Sequence, residues 1–96
     1  METKKYQLTT ALKPDLSAEE SQRAPRRVAE AVESLGGRVA KTESLGIKPL
    51  VYAIQGFEQA SFGQFILDLP PAQVRPLRSE LEKNRSFLRV LVRVLK

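Results

Sequence analysis

Apolar and polar residues alternate along three stretches of the chain, and such a period of two is typical of a β-strand with one buried face. The first stretch runs from Lys5 to Leu12, and the last covers residues 87–96. Between them, Phe62 to Leu69 carries apolar residues on both of its faces. A strand of that kind is central in a sheet or is covered by another molecule. In the last stretch, one face is predicted to present Phe87, Arg89, Leu91 and Arg93.

A further strand is predicted over Arg38 to Ile54, where Val, Tyr and Ile favour a pleated, half-buried conformation. Its middle, Gly46 to Pro49, contains a glycine and a proline, which weaken or interrupt a ladder of hydrogen bonds. We expect a bulge or kink there, which re-aims Leu50 to Ile54. The following segment, Gln55 to Ala60, contains a glycine and is predicted to form the turn of a hairpin.

Two segments between the strands have a helical period. Ser17 and Glu20 have the spacing of a capping box, so a helix is predicted to begin at Ala18. Its apolar stripe repeats at i, i+3, i+4 and i+7 and consists of Val28, Ala31, Val32 and Leu35. Gly36-Gly37 supplies the stop. Pro25 removes one bond inside the helix, at a cost of roughly 3 kcal/mol, so we expect a continuous but bent helix.

The second helix is predicted to follow Pro70-Pro71, because proline is tolerated at a helix start. Its apolar stripe consists of Val74, Leu77 and Leu81. Pro76 lies about one turn into this segment, so the first turn is expected to be distorted. Asn84 to Ser86 closes the helix before the last strand.

The resulting order is β-α-β-β-α-β, which is typical of a ferredoxin-like sandwich in a chain of 96 residues. We predict one α+β domain over residues 1–96, with a four-stranded antiparallel sheet and both helices on one face. The predicted helix-facing core contains Leu8, Leu12, Val28, Val32, Leu35, Phe65, Leu67, Leu77, Leu81, Val90 and Val92. The other face of the sheet, called the open face below, is predicted to carry Lys5, Gln7, Phe62, Gln64, Ile66, Arg89, Leu91 and Arg93.

Composition excludes several functions. The chain has no cysteine and no histidine, so disulfides, thiolate or imidazole metal sites and catalytic triads built on these residues are excluded. No apolar run approaches the roughly 18 residues of a membrane span, and the N-terminus lacks the apolar core of a signal peptide. We expect a soluble, cytoplasmic protein without enzymatic activity, metal or cofactor. Its net charge of +5 favours an anionic partner such as nucleic acid.

Two classes of protein are known to share this element order, but this chain lacks the residues that their functions require. Base-stacking RNA domains carry an aromatic-rich run on the third strand, whereas this chain has Ser61-Phe62-Gly63-Gln64-Phe65. An acylphosphatase-like enzyme needs an arginine in an anion-binding loop after the first strand, and Lys13 to Ser17 has neither glycine nor arginine. A small-molecule regulatory domain stays open, although no glycine-rich effector loop supports it.

The open face offers a basic stripe of Arg89 and Arg93, joined by Lys5 if the first and last strands are neighbours. Such a stripe fits RNA phosphates, whose contacts supply affinity without reading sequence. The equally weighted alternative is a pair of arginines exposed only to solvent.

An apolar patch is predicted on the same face, formed by Phe62, Ile66 and Leu91. Three such residues flanked by arginines favour a partner-protein site over scattered surface hydrophobicity. Tyr52 fits equally well in the core or at a wet interface.

Over about residues 5–94 the chain resembles the family of small-subunit ribosomal protein six. The most specific match is Lys48-x-Leu50-x-Tyr52-x-Ile54 after Gly46. Weaker matches fall in the right order at Tyr6, Leu12-x-Pro14, Gly37-x-Val39, Glu43-x-Leu45-Gly46, Leu69-Pro70 and Leu88-Arg89. Pro49 and Val51 depart from the family pattern, and the chain ends without the C-terminal tail of many relatives.

The resemblance implies a non-catalytic constituent of the small ribosomal subunit. Family members bind central-domain small-subunit (16S) ribosomal RNA together with small-subunit ribosomal protein eighteen. The expected RNA-binding residues, from the resemblance and the basic stripe together, are Lys4, Lys5, Lys48, Arg89 and Arg93. The expected partner-protein residues are Tyr52, Phe62, Ile66 and Leu91. The alternative is a ferredoxin-like protein-interaction or regulatory module without RNA binding, whose positive charge serves solubility alone.

Overall fold

The predicted order of strands and helices is present in the structure, a computed structural model that describes residues 2–95. The strands are β1 (Lys4–Leu12), β2 (Arg38–Ile54), β3 (Phe57–Leu69) and β4 (Phe87–Val94), and the helices are α1 (Ala18–Ser34) and α2 (Val74–Glu82). Met1 and Lys96, the ends of the predicted single domain, lie outside the described residues.

The four strands form one antiparallel sheet in the order β2-β3-β1-β4. The first and last strands are therefore neighbours, which is the condition that the basic stripe required. Both helices cover the same face, because their buried residues join one core with the helix-facing residues of the sheet. This core consists of Tyr6, Leu8, Leu12, Ala24, Val28, Val32, Phe65, Leu67, Leu69, Leu77, Leu81, Phe87 and Val90. The predicted fold class is confirmed.

Local signals in the sequence set both ends of α1. The Ser17 hydroxyl accepts a hydrogen bond from the backbone N–H of Glu20 at 3.2 Å, as the capping-box spacing predicted. At the other end, Gly36 adopts φ +83°, and the N–H of Gly37 bonds the carbonyl of Val32 at 2.9 Å. This closes the helix with a Schellman motif. The helix runs unbroken through an exposed Pro25, so its predicted continuity is confirmed.

Prolines shape the start of α2. A short 3-10 turn, Pro71–Gln73, precedes the helix, so its entry is irregular, as expected. Pro76 is the third residue of α2. Its missing N–H costs no helical hydrogen bond there, because the first four N–H groups of a helix have no partner within the helix. Neither helix combines the length and apolar character that crossing a bilayer requires, within residues 2–95.

One predicted boundary and one predicted face are wrong. The hairpin turn consists of Gln55 and Gly56 alone, and both have positive φ, 52° and 84°. This geometry matches the twist of a two-residue hairpin, so β3 begins at Phe57 and not after Ala60. The second correction concerns Phe87, which lies in the core and not on the open face. A register shift opposite Leu12 inserts one extra residue into β4 and turns Phe87 inward.

The β2 strand is irregular at three places. Its pairing with β3 gains one residue at Ala40 and one at Leu45, the latter next to Gly46 with φ +79°. The predicted bulge near Gly46 is thus confirmed. A larger shift follows between Pro49 and Ile54.

The β2–β3 hairpin extends past the rest of the sheet. The β1–β3 pairing ends at Ser61, so residues 48–60 form a two-stranded projection, called the arm below. This projection is consistent with the elongated outline of the molecule, 41 × 26 × 22 Å. The arm carries most of the family-specific segment, from Lys48 to Ile54.

Candidate nucleic-acid interface

The open face is organised in rows of residues that lie side by side across the four strands. Pairing partners define each row, because antiparallel partners in neighbouring strands point to the same face. In the order β2, β3, β1, β4, the rows are Arg38, Asp68 and Lys5; Lys41, Ile66, Gln7 and Arg93; Glu43, Gln64, Thr9 and Leu91; Gly46, Phe62, Ala11 and Arg89. Apart from Phe87, every residue that the sequence placed on this face is present there.

Positive charge predominates in these rows, and the helical layer is balanced. The cations of the rows are Lys5, Arg38, Lys41, Arg89 and Arg93, and the anions are Glu43 and Asp68. By contrast, α1 carries three arginines against four glutamates, and α2 carries two of each. The excess positive charge of the chain therefore comes from its strands and loops.

The two outer strands hold their arginines differently. On β2, an Nη of Arg38 lies 3.3 Å from a carboxylate oxygen of Asp68, so its charge is partly compensated. On β4, the Nε of Arg93 donates to the side-chain oxygen of Gln7 at 2.8 Å, and a neutral amide leaves the charge of the arginine intact. Neither Arg89 nor Arg93 makes a salt bridge within residues 2–95. Of the two outer strands, β4 is thus the one whose guanidinium groups are not compensated by a carboxylate.

The predicted RNA-binding residues do not all share one surface. Lys5, Arg89 and Arg93 lie together on β1 and β4, as expected. Lys48 is on the same face but begins the arm, and its strand is three positions from β4, about 14 Å across the sheet. Lys4 is opposite Leu69 and alternates with Lys5, so it belongs to the helix side of the sheet edge.

The predicted apolar patch is divided. Phe62 and Ile66 are half-buried on β3, about 13 Å apart along the strand with Gln64 between them. Leu91 is 51% exposed and lies two strands away, beyond Thr9. Hence these three residues do not form one continuous apolar surface, because polar side chains of the central strands separate them.

The arm exposes large apolar side chains at its tip. Val51 is 91% and Tyr52 80% exposed, while Ile47 at the base of the arm is also exposed. The core alternative for Tyr52 is therefore excluded. The two tip residues fall in the segment between Pro49 and Ile54, where β2 has four residues opposite one of β3.

Two cations of the open face, Arg38 and Lys41, were missed by sequence reasoning. In a regular strand, residues three apart point to opposite faces. The extra residue at Ala40 reverses that parity and brings both cations to the open face. Nothing in the local sequence marks this bulge.

The described geometry defines a class of protein: a ferredoxin-like domain whose open sheet face carries more cations than anions. No group of three or more carboxylates suited to a metal ion occurs within residues 2–95. Among the shallow depressions of this part of the chain, one lies between the helices and two lie along the edges of the sheet.

Comparison with known proteins identifies the family. Residues 5–93 match the family of Ribosomal protein S6. The chain is 29% identical to small ribosomal subunit protein bS6 of Thermus thermophilus over 89 residues, which cover 93% of this chain and 88% of the relative. The bS6 protein of Azorhizobium caulinodans is 29% identical over 86 residues, or 90% of this chain. The aligned part spans only 57% of that longer relative.

Solved structures agree on the fold. The 30S ribosomal protein S6 of Thermotoga maritima superposes with a TM-score of 0.89 at 17% identity, covering 98% of this chain and 89% of that one. The P2 domain of the chemotaxis kinase CheA, solved with CheY, reaches a TM-score of 0.65 at 15% identity, with coverage of 97% and 99%. The chain belongs to the ribosomal protein S6 family, whose members are structural proteins of the small ribosomal subunit. The predicted family and small-subunit location are confirmed.

Proposed function

We propose that the chain binds small-subunit ribosomal RNA through its open sheet face, in cooperation with small-subunit ribosomal protein eighteen. The observation that carries the RNA part is the separation of charge between the two layers. The helices balance their charges, whereas the outer strands and β1 present cations on one flat surface. Such a surface suits phosphate contacts, which release counterions and position a protein on RNA.

The β4 edge is the strongest part of this surface. Arg89 and Arg93 lie four residues apart on one face of an edge strand, which places their Cα atoms about 13 Å from each other. They flank Leu91, and Lys5 lies diagonally from Arg93, two residues before Gln7 on the neighbouring strand. Arginine suits this role because its planar fork binds phosphate oxygens in pairs.

The arm is the proposed contact for the partner protein. Val51 and Tyr52 are almost fully exposed at the end of a projection, where burial by a second chain would remove apolar surface from water. The half-buried Phe62 and Ile66 would add to this contact only along the middle of the sheet. RNA and partner protein would thus use separate parts of the molecule, the β4 edge for RNA and the arm for the partner protein.

Binding to a central-domain fragment of small-subunit ribosomal RNA, measured at several salt concentrations with and without the partner, tests the proposal. We expect the double variant Arg89→Ala/Arg93→Ala to lower the slope of log affinity against log salt by about 1.4 to 1.8, because two phosphate contacts are lost. The matched control is Arg26→Ala/Arg27→Ala on α1, which removes the same charge from the helical layer and should leave binding nearly unchanged.

The outcome separates this proposal from a protein-interaction module. If the control variant weakens RNA binding as much as the β4 variant, net charge and not the open face governs binding. Partner binding that survives when RNA binding is absent at every salt concentration would favour the interaction module, for which the exposed arm is the supporting observation.

A further inference from the structure

A shallow hollow lies at the β1–β4 edge of the open face, with a volume of about 440 Å³. Its lining consists of Gln7, Thr9, Leu91, Val92 and Arg93. Polar groups from β1 face an exposed apolar side chain and a guanidinium from β4. The hollow is open to solvent and within the roughly 300–1,000 Å³ typical of small ligand sites.

The hydrogen bond between Gln7 and Arg93 orients the guanidinium group at the hollow. Arg93 donates through Nε to the side-chain oxygen of Gln7 at 2.8 Å, so the amide holds the Nε side of the guanidinium. Both Nη groups then remain for an external acceptor, and two parallel N–H donors match two oxygens of one phosphate. An unrestrained arginine would lose more side-chain entropy when it binds.

Because the hydrogen-bond partner of Arg93 is a neutral amide, the positive charge of Arg93 is not compensated. On the opposite edge, Asp68 accepts from Arg38 at 3.3 Å and compensates its charge. Gln7 accepts a similar bond without adding a negative charge, so Arg93 is oriented and remains fully cationic. An arginine held in this way is prepared for an anion that comes from outside the chain.

We propose that Gln7 is a positioning residue that aims the Nη groups of Arg93 at one phosphodiester of an RNA strand, seated in the hollow beside Leu91. This inference rests on the proposed RNA-binding function and specifies where one phosphate is held. An acidic peptide offers a similar fork of oxygens. RNA fits better because further cations lie near Arg93 on the open face. Lys41 is in the same row as Gln7, and Lys5 is in the adjacent row. Together they extend the cationic path, as a repeating phosphate backbone requires.

A double-mutant cycle on central-domain ribosomal RNA binding tests this role. We expect Gln7→Ala to weaken binding about three- to tenfold while the salt slope stays unchanged, because the charge of Arg93 is retained. In an Arg93→Ala background, Gln7→Ala should have no further effect, since the two residues act as one unit. Gln64→Ala, which removes an amide from the next strand of the same face, is the matched control.

A second variant separates orientation from charge. Gln7→Glu keeps an acceptor for Nε but compensates the guanidinium, so the salt slope should fall by about 0.7 to 0.9, equivalent to one phosphate contact. A purely structural role would change the thermal midpoint and leave both RNA measurements unaltered.

Three results would overturn the inference. Gln7→Ala could leave RNA affinity unchanged while Arg93→Ala weakens it, or it could act equally in the absence of Arg93. It could also weaken binding of the partner protein and not of RNA, which would assign the hollow to an acidic peptide. If the wild-type chain itself shows no salt-dependent RNA binding, the proposed function fails first, and that outcome is recognisable without any variant.

Discussion

Gly37 lies where the end of α1 comes closest to the sheet, and replacing it with alanine tests how rigid that approach is. A Cβ atom at this position would lie 2.5 Å from the carbonyl oxygen of Asp68 and 2.7 Å from Cδ1 of Leu69. It would also lie 3.0 Å from Cγ1 of Val32. The Asp68 oxygen belongs to the backbone of β3, which pairs on both sides and cannot move as a flexible side chain does.

The expected cost follows from these distances. Adding a methyl group to a tightly packed site costs typically 1–3 kcal/mol. Because one of the close contacts is backbone, we expect Gly37→Ala to lower the free energy of unfolding by about 3 kcal/mol. Gly36 is the matched control, since it has φ +83° and nothing within 4 Å of an added Cβ. Its replacement by alanine adds only left-handed strain, about 1–2 kcal/mol.

Urea unfolding followed by circular dichroism measures both variants, provided that the transition remains two-state. In a domain of this size, about 3 kcal/mol lowers the thermal midpoint by roughly 12–24 °C. If Gly37→Ala costs no more than Gly36→Ala, the end of α1 can move away from the sheet. Such a result would contradict the expected clash between an added Cβ and the backbone oxygen of Asp68.

Two further variants test the arm and the helix cap. Tyr52→Ala should change the free energy of unfolding by less than about 0.5 kcal/mol, because the side chain is 80% exposed. It should also weaken binding of ribosomal protein eighteen, measured by calorimetry; a large loss of stability would instead mean that the tip packs within the chain. Ser17→Ala should lower thermal stability by about 0.5–2 kcal/mol, because it removes the acceptor for the Glu20 N–H. Ser79→Ala, within the exposed surface of α2, should cost nothing in the same melts, and equal losses at both serines would contradict a capping role.

The sequence alone determined the elements of the fold and their order. These depend on interactions between residues close together in the chain, such as the Ser17 cap and the left-handed Gly36 at the two ends of α1. Alternation also assigned Lys5, Arg89 and Arg93 to one face, because the period of two holds wherever a strand is regular.

Only the tertiary structure decided the details of the surface. Each bulge depends on pairing with a distant strand, and one inserted residue reverses the face of everything beyond it. Such insertions turned Phe87 into the core and brought Lys41 to the open face. The bond between Gln7 and Arg93 joins residues 86 positions apart, so its geometry comes from the β1–β4 register and from no local pattern.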